Sequence, residues 1–350
     1  MMFLLYNILI KMDNFSTAYT YDDVALVPQY NNVPSRTIPS LSSWITRKTK
    51  IDVPIIPANM DTVIGDEMAD ALLKYGSVPI FHRFTEEDKR MEWAHKYGDR
   101  CYMSCGLNDL DFTLKILKET PVRGVCIDVA HAHSSTMKNY MEEIRKHIGD
   151  SKEIIAGNVC TPIAYHDLVT WGADAVKCGI GPGACCSTRM VTGFGIPQFT
   201  AVYECGKVAE KLRTPLIADG GIKHSRDIVL ALAAGASTVM AGSMFSNTYE
   251  SAAPKETRDG IVYSKYRGQA SKDFQEDFYG EVKKDTVAEG VAFEKICNRS
   301  VIELLDEMTG GLRSGLTYGG AKDIKELQRK AEFRATTASY MTESKPRPNT

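Results

Sequence analysis

The stretch DAVKCGIGPGACCSTRM, residues 174–190, runs from a short apolar segment into a turn with three glycines and one proline in the five residues 179–183. A run so short and evenly apolar suits a strand buried on both faces of a parallel sheet. The glycines then force a tight turn whose peptide groups point outward. Seven similar runs lie on either side: VPIIPA (53–58), SVPIF (77–81), CYMSC (101–105), GVCID (124–128), EIIAG (153–157), PLIAD (215–219) and TVMAG (238–242). Segments with helical periodicity separate them, among them DEMADALLKYG (66–76), SSTMKNYMEEIRKH (134–147) and SRDIVLALAAGA (225–236). Several open on a capping Ser, Thr, Asp or Asn and close near Gly. Eight strands alternating with helices predict an α/β fold, a TIM (β/α)₈ barrel in a single domain. An open doubly wound sheet is the alternative, but no GxGxxG follows the first strand.

Strand starts fall 21–29 residues apart, except for 41 residues between Asp174 and Pro215. Barrel active sites sit at the C-terminal strand ends, and an over-long loop in a compact barrel usually has a job. The loop after Gly179 is therefore the first functional candidate. A second irregular, polar stretch at about 247–296 reads as a flap. The barrel domain is expected over 16–340, with 1–15 a dispensable extension and 341–350 a disordered tail. The opening MMFLLYNILIKM falls far below the ~18 apolar residues of a membrane span. It also lacks the charged start and cleavage site of a signal peptide, and Met12 is an alternative start.

Hydrophobic content of 43% and charged content of 25% over 350 residues are those of a soluble globular protein with a sizeable core. A net charge of −2 gives no basic footprint for nucleic acid, although one phosphate needs only a local nest of N–H donors. Nine cysteines, an odd number mostly inside strands, read as thiols in a reducing compartment, which predicts a cytoplasmic protein.

Within the long loop, Cys185 and Cys186 precede Ser187, Thr188 and Arg189. A thiol on a glycine-rich loop at the catalytic end is a candidate nucleophile. Mere packing is the bland alternative, and the flanking hydroxyls and Arg count against it. Carbonyls of such a turn can also coordinate a monovalent cation. Glycines follow two neighbouring strands, the pair Gly220–Gly221 after Asp219 and Gly242 before Ser243, where barrels commonly hold phosphate. His131 and His133 lack further ligands at zinc spacing, so they are expected to line a pocket or the loop surface.

GIGPGACCSTR (179–189), continued by RMVTGFGIPQ (189–198), closely resembles the catalytic loop of the IMP dehydrogenase/GMP reductase family, approximately GxGPGSxCxTR. The departures are Ala184 for the usual Ser and Ser187 for the usual Thr. YDDVALVP (21–28), VPIIPANMDTV (53–63), IADGGI (217–222), MAGSMF (240–245), YRGQAS (266–271) and GGLRSGLTYGG (310–320) extend the resemblance over nearly the whole chain. It implies that Cys186 is a covalent nucleophile, with Thr188 and Glu289 as acid–base partners. It implies a purine nucleotide held by Asp219, Gly220, Gly221, Gly242 and Ser243, with Gly268, Gln269, Ala270 and Gly290 around it. It places a nicotinamide cofactor, NADPH, near Asp128, Val129, Ala130, Ile180 and Gly181. Ser35, Arg36 and Arg83 would meet a 2′-phosphate. Ser314, Gly315, Leu316 and Thr317 would form a further cofactor surface, lent by a neighbouring subunit of a homotetramer. A potassium ion would sit on backbone oxygens of Gly181, Gly183, Cys186 and Arg189.

The family has two branches: one oxidises IMP to XMP with NAD, the other reduces GMP to IMP and ammonia with NADPH. IFHRFTEEDKR (80–90) runs straight into the next helix, leaving no room for the regulatory CBS pair common in the dehydrogenases. CIDVAHAHS (126–134) and HRF (82–84) resemble the reductases. Only 20 residues separate Gly268 from Glu289, without the Arg-Tyr pair that activates the dehydrogenase's water. VAEGVAFEK (287–295) leans toward the dehydrogenase flap exit. The resemblance thus implies reductase chemistry, with the dehydrogenase as runner-up and a catalytically silent nucleotide-binding barrel third.

Overall fold

The computed structural model describes residues 16–282 and 287–346. The expected N-terminal extension, residues 283–286 of the expected flap and the last four residues of the tail lie outside it. All eight apolar runs are strands: β1 (Ile55–Pro57), β2 (Ile80–Phe81), β3 (Tyr102–Cys105), β4 (Gly124–Asp128), β5 (Glu153–Val159), β6 (Ala175–Cys178), β7 (Leu216–Asp219) and β8 (Thr238–Ala241). They pair in parallel in the order β1-β8-β7-β6-β5-β4-β3-β2. At the remaining seam Ser77 Oγ donates to Ile55 O at 2.7 Å, so the sheet forms a nearly closed barrel. The helices between strands are α1 (Asp66–Tyr75), α2 (Glu87–Tyr97), α3 (Leu110–Glu119), α4 (Ser135–Ile148), α5 (Pro162–Thr170), α6 (Gln198–Leu212) and α7 (Ser225–Ala233). This is the TIM barrel expected from the sequence.

Side chains from every strand fill the interior: Ile56, Ile80, Tyr102, Cys126, Ile155, Ala175, Ile217 and Met240 form one buried cluster. Alternate residues face outward and pack with the helices in a second, larger cluster, as the period-two geometry of a strand requires. A hairpin of Ser43–Trp44 and Lys50–Ile51 closes the N-terminal end, adding Ile45 and Ile51 to the inner cluster. There Glu153 is buried but satisfied: Tyr102 Oη donates at 2.7 Å, Thr49 Oγ1 at 2.8 Å, and Thr46 Oγ1 as well. The hairpin thus covers the N-terminal end of the barrel.

Several elements were not foreseen. Residues 310–318 of GGLRSGLTYGG lie within α8 (Val301–Tyr318), which packs on α7, and Gly319–Gly320 follow its end. A Cβ on Gly311 would sit 2.3 Å from the Ser225 side chain, and one on Gly315 would sit 2.6 Å from Val229, so these glycines let the two helices approach. The flap is a three-stranded antiparallel sheet, Lys255–Arg258, Ile261–Arg267 and Ala292–Ile296, with a helix at Lys272–Tyr279. Val24–Leu26 pairs with Phe333–Ala335, tying the two ends of the described chain together. The last helical turn, Ser339–Glu343, reaches into the stretch expected to be disordered. Among the described residues no helix is long and apolar enough to cross a membrane.

Asp174, fully buried at the entry to β6, binds Arg47 Nε at 2.7 Å, the Ile154 N–H at 2.8 Å and the Arg145 guanidinium. Burial alone would raise its carboxyl, but those partners outweigh it and hold it below the usual carboxylate range. A depressed folded-state value stabilises the fold above the unfolded value, and that contribution disappears as pH falls through the folded one. Wild-type protein should therefore lose stability as pH is lowered below about 4. Asp174→Asn should cost about 3 kcal/mol at neutral pH and flatten that acid limb, read by denaturant melts at pH 3–7.

Candidate active site

After β6 the chain turns through Gly179 and Gly181, both with positive φ (148° and 81°). The turn wraps around Arg189, whose Nε donates to Ile180 O at 3.2 Å and whose Nη2 donates to Ile196 O at 2.6 Å. A Cβ on Gly181 would lie 2.5 Å from Arg189 Cγ, so only glycine leaves space for this side chain. The Cys186 N–H donates to Gly183 O at 3.0 Å, and the thiol is exposed. Its Sγ lies 3.1 Å from Thr188 Oγ1, within reach for proton exchange. Cys185 points the other way, and burial pushes its thiol up to about 12. Of the two adjacent cysteines only Cys186 presents its thiol at the surface.

The flap is stitched to this loop through backbone. Ser187 N donates to Glu289 O at 3.0 Å, Val291 N to Cys185 O at 2.9 Å, and Glu289 N to Ala270 O at 3.1 Å. Glu289, Gly290 and the Gly268–Ala270 turn are thus set beside Cys186. Gln269 Nε2 reaches Asn59 O at 3.0 Å, anchoring that turn to the end of β1.

Cys186, Thr188, Glu289, Gly268, Gln269 and Ala270 line a cavity of about 330 Å³ together with Asp128, Val129, Ala130, Ile180, Gly181 and Arg83. It adjoins a second hollow of about 310 Å³ lined by Gly220, Gly221, Gly242 and Ser243, and Asp219 borders both. Most residues expected from the sequence are therefore brought together. Asn158 and Arg83 line the first hollow and Asn247 and Arg299 the second, so each wall carries polar side chains. For a monovalent cation, Gly183 O and Arg189 O each accept one N–H, from Cys186 and Gly193, and retain a second lone pair.

Other expected residues are not brought to this cavity by the single chain. Ser35 and Arg36 are exposed on the N-terminal segment. Ser314 and Gly315 line a separate groove of about 390 Å³ with residues 25–29. Leu316 is fully buried in the outer core, and Thr317 Oγ1 donates to Arg313 O at 2.9 Å. His133 pairs with Asp167 at 2.9 Å and stacks on Trp171, while His131 is exposed on the loop surface. Among the described residues no cluster of three or more His, Cys, Asp or Glu could hold a metal ion.

Sequence reasoning missed Lys177, Asn158, Tyr266, Lys295 and Arg299. Lys295 Nζ donates to Ser243 Oγ at 2.8 Å, and burial draws its ammonium below the usual lysine range. Tyr266 packs so tightly that a Cβ on Gly242 would lie 2.4 Å from its hydroxyl. Lys177 had a signal that could have been read: a lone charge inside an apolar strand that should face only core.

A domain model described as IMP dehydrogenase / GMP reductase matches residues 18–347. A GMP reductase from Staphylococcus aureus is 37% identical over 89% of this chain and 94% of its own length. An IMP dehydrogenase from Cryptosporidium parvum is 32% identical over 95% of both chains. A crystal structure of a GMP reductase from Trypanosoma brucei, in complex with guanosine 5′-monophosphate, aligns with a TM-score of 0.88 at 25% identity, covering 97% of this chain and 100% of that one.

Of the nine free cysteines only Cys186 is exposed. Brief treatment of folded protein with iodoacetamide should modify one thiol per chain, identified as Cys186 by peptide mass spectrometry. Equal labelling of the other eight without denaturant would refute this arrangement.

Proposed function

Since the chain belongs to the IMP dehydrogenase / GMP reductase family, we propose that it catalyses the NADPH-dependent reductive deamination of GMP to IMP and ammonia. The observation that carries this reading is the placement of one exposed thiol, Cys186, 3.1 Å from Thr188 Oγ1 at the mouth of a two-part cavity. Residues 16–340 act as one catalytic domain with its flap, in a reducing compartment such as the cytoplasm that suits nine free thiols.

In this reading the phosphate of GMP lies among the N–H groups of Gly220, Gly221, Gly242 and Ser243, with Lys295 and Arg299 adding positive charge. The carboxylate of Asp219 holds the ribose hydroxyls. Cys186 Sγ bonds to C2 of the purine, Thr188 hands a proton to the departing amino group, and ammonia leaves. Glu289 serves Thr188 as its proton partner. The dinucleotide, when bound, supplies one hydride to C2, after which the C–S bond breaks and IMP is released. Asp128, Val129, Ala130 and Arg83 orient that cofactor, and the flap turn at Gly268–Ala270 keeps water from the adduct. The remaining cofactor contacts, at Ser35, Arg36 and Ser314–Thr317, come from a second subunit of a homotetramer. A potassium ion on the carbonyls of Gly181, Gly183, Cys186 and Arg189 stiffens the loop.

The reductase is preferred to the dehydrogenase because the 20 residues between Gly268 and Glu289 carry no Arg-Tyr pair to activate a hydrolytic water. Absorbance at the reduced-nicotinamide band separates the two. GMP with NADPH should consume cofactor, whereas IMP with NAD should produce none. Production from IMP and NAD would overturn the choice of branch. Cys186→Ala should abolish turnover, and Thr188→Ala should lower kcat by about 10²–10⁴, the usual weight of a proton-transfer group.

A further inference from the structure

Lys177 sits in the middle of β6 with its side chain only 2% exposed, yet it carries a charge. Its Nζ lies 2.6 Å from Asp128 Oδ1 and 3.1 Å from Asp219 Oδ2, with Asn59 Oδ1 at 3.4 Å. Strand register explains how one ammonium reaches both. Asp128 stands opposite Gly157, and Gly157 stands opposite Lys177, in one row across β4, β5 and β6. A Cβ on Gly157 would lie 2.5 Å from Lys177 Cβ, so the glycine clears the path over β5 toward Asp128. On the other side β7 runs beside β6 and ends in Asp219. Burial opposes the charge, but Asp128 and Asp219 outweigh it and keep Lys177 an ammonium. Asp219 Oδ2 also accepts from Asn158 Nδ2 at 2.9 Å.

A buried ammonium is tolerated only where its partners are close and well aimed. Here the partners are not structural filler: both carboxylates line the cavity beside Cys186, and only Asp219 also borders the second hollow. We infer that Lys177 is a positioning residue that joins the nucleotide and dinucleotide subsites, one ammonium fixing the carboxylate of Asp219 on one side and that of Asp128 on the other. The inference rests on the two-subsite reading proposed above. Without the ammonium, two like charges face each other across a low-dielectric gap, and neither can be ionised and well oriented together with its neighbour.

The test is calorimetric titration of GMP, without cofactor, into wild type, Lys177→Met, Asp128→Asn and the double variant. Lys177→Met should weaken GMP binding at least about tenfold, because the ammonium fixes the carboxylate of Asp219. Asp128→Asn alone should change it less than about threefold, whereas adding Asp128→Asn to Lys177→Met should restore most of the lost affinity, the signature of coupled sites. The rate of Cys186 alkylation should be the same in all four proteins. Unaltered GMP affinity in Lys177→Met, or no recovery in the double variant, overturns the inference. If Lys177→Met does not fold, the charge-balanced double variant decides: affinity near wild type supports the link, and a loss of about tenfold or more refutes it. Wild-type protein that binds neither GMP nor IMP would sink the functional reading itself, a separate and recognisable failure.

Discussion

A parallel barrel must fill its interior with side chains from all its strands, and that filling makes its two ends chemically unlike. Here eight residues, one per strand, plug the centre, and the Ser43–Ile51 hairpin with the satisfied carboxylate of Glu153 covers the N-terminal end. Polar side chains that end β4 and β7 have nowhere to go but the open end, and there they gather: Asp128 and Asp219 from two strands, with Lys177 beneath them. The reactive face is a consequence of core packing and strand direction before any particular chemistry is considered.

Above that floor the loop after β6 keeps its shape by holding the Arg189 guanidinium inside it. Arg189 donates to two carbonyls of its own loop, while the glycines at 181 and 195 leave room for its side chain. The reward of this arrangement is asymmetry between neighbours. Cys185 turns inward and behaves as a small apolar residue, while Cys186 stands outward with a hydroxyl beside it. The flap completes the site through backbone hydrogen bonds, Ser187 N–H to Glu289 O and Val291 N–H to Cys185 O, which fix position without demanding particular side chains.

Much of this was legible beforehand. Eight double-sided buried strands leave an unmistakable apolar signature, so the barrel and the loop with Cys186 could be read residue by residue. The glycines at 220, 221 and 242 likewise announced the second hollow, since a strand end followed by glycine opens backbone N–H groups to a ligand. Other parts misled. Ser314–Thr317 were expected to form a cofactor surface, yet residues 310–318 lie in α8, where Gly311 and Gly315 allow close contact with α7 and Leu316 is buried in the outer core.

The chain by itself determined the period and number of its strands, the length of the loop after β6 and the presence of a pair of thiols in it, because those are local properties of burial and turn chemistry. Only the tertiary structure decided which charges meet. Lys177 lies 49 residues from Asp128 and 42 from Asp219 along the chain, and their contact follows from strand register and from the missing side chain of Gly157. Such pairings depend on how sheets align across the barrel, a long-range outcome that no window of sequence contains.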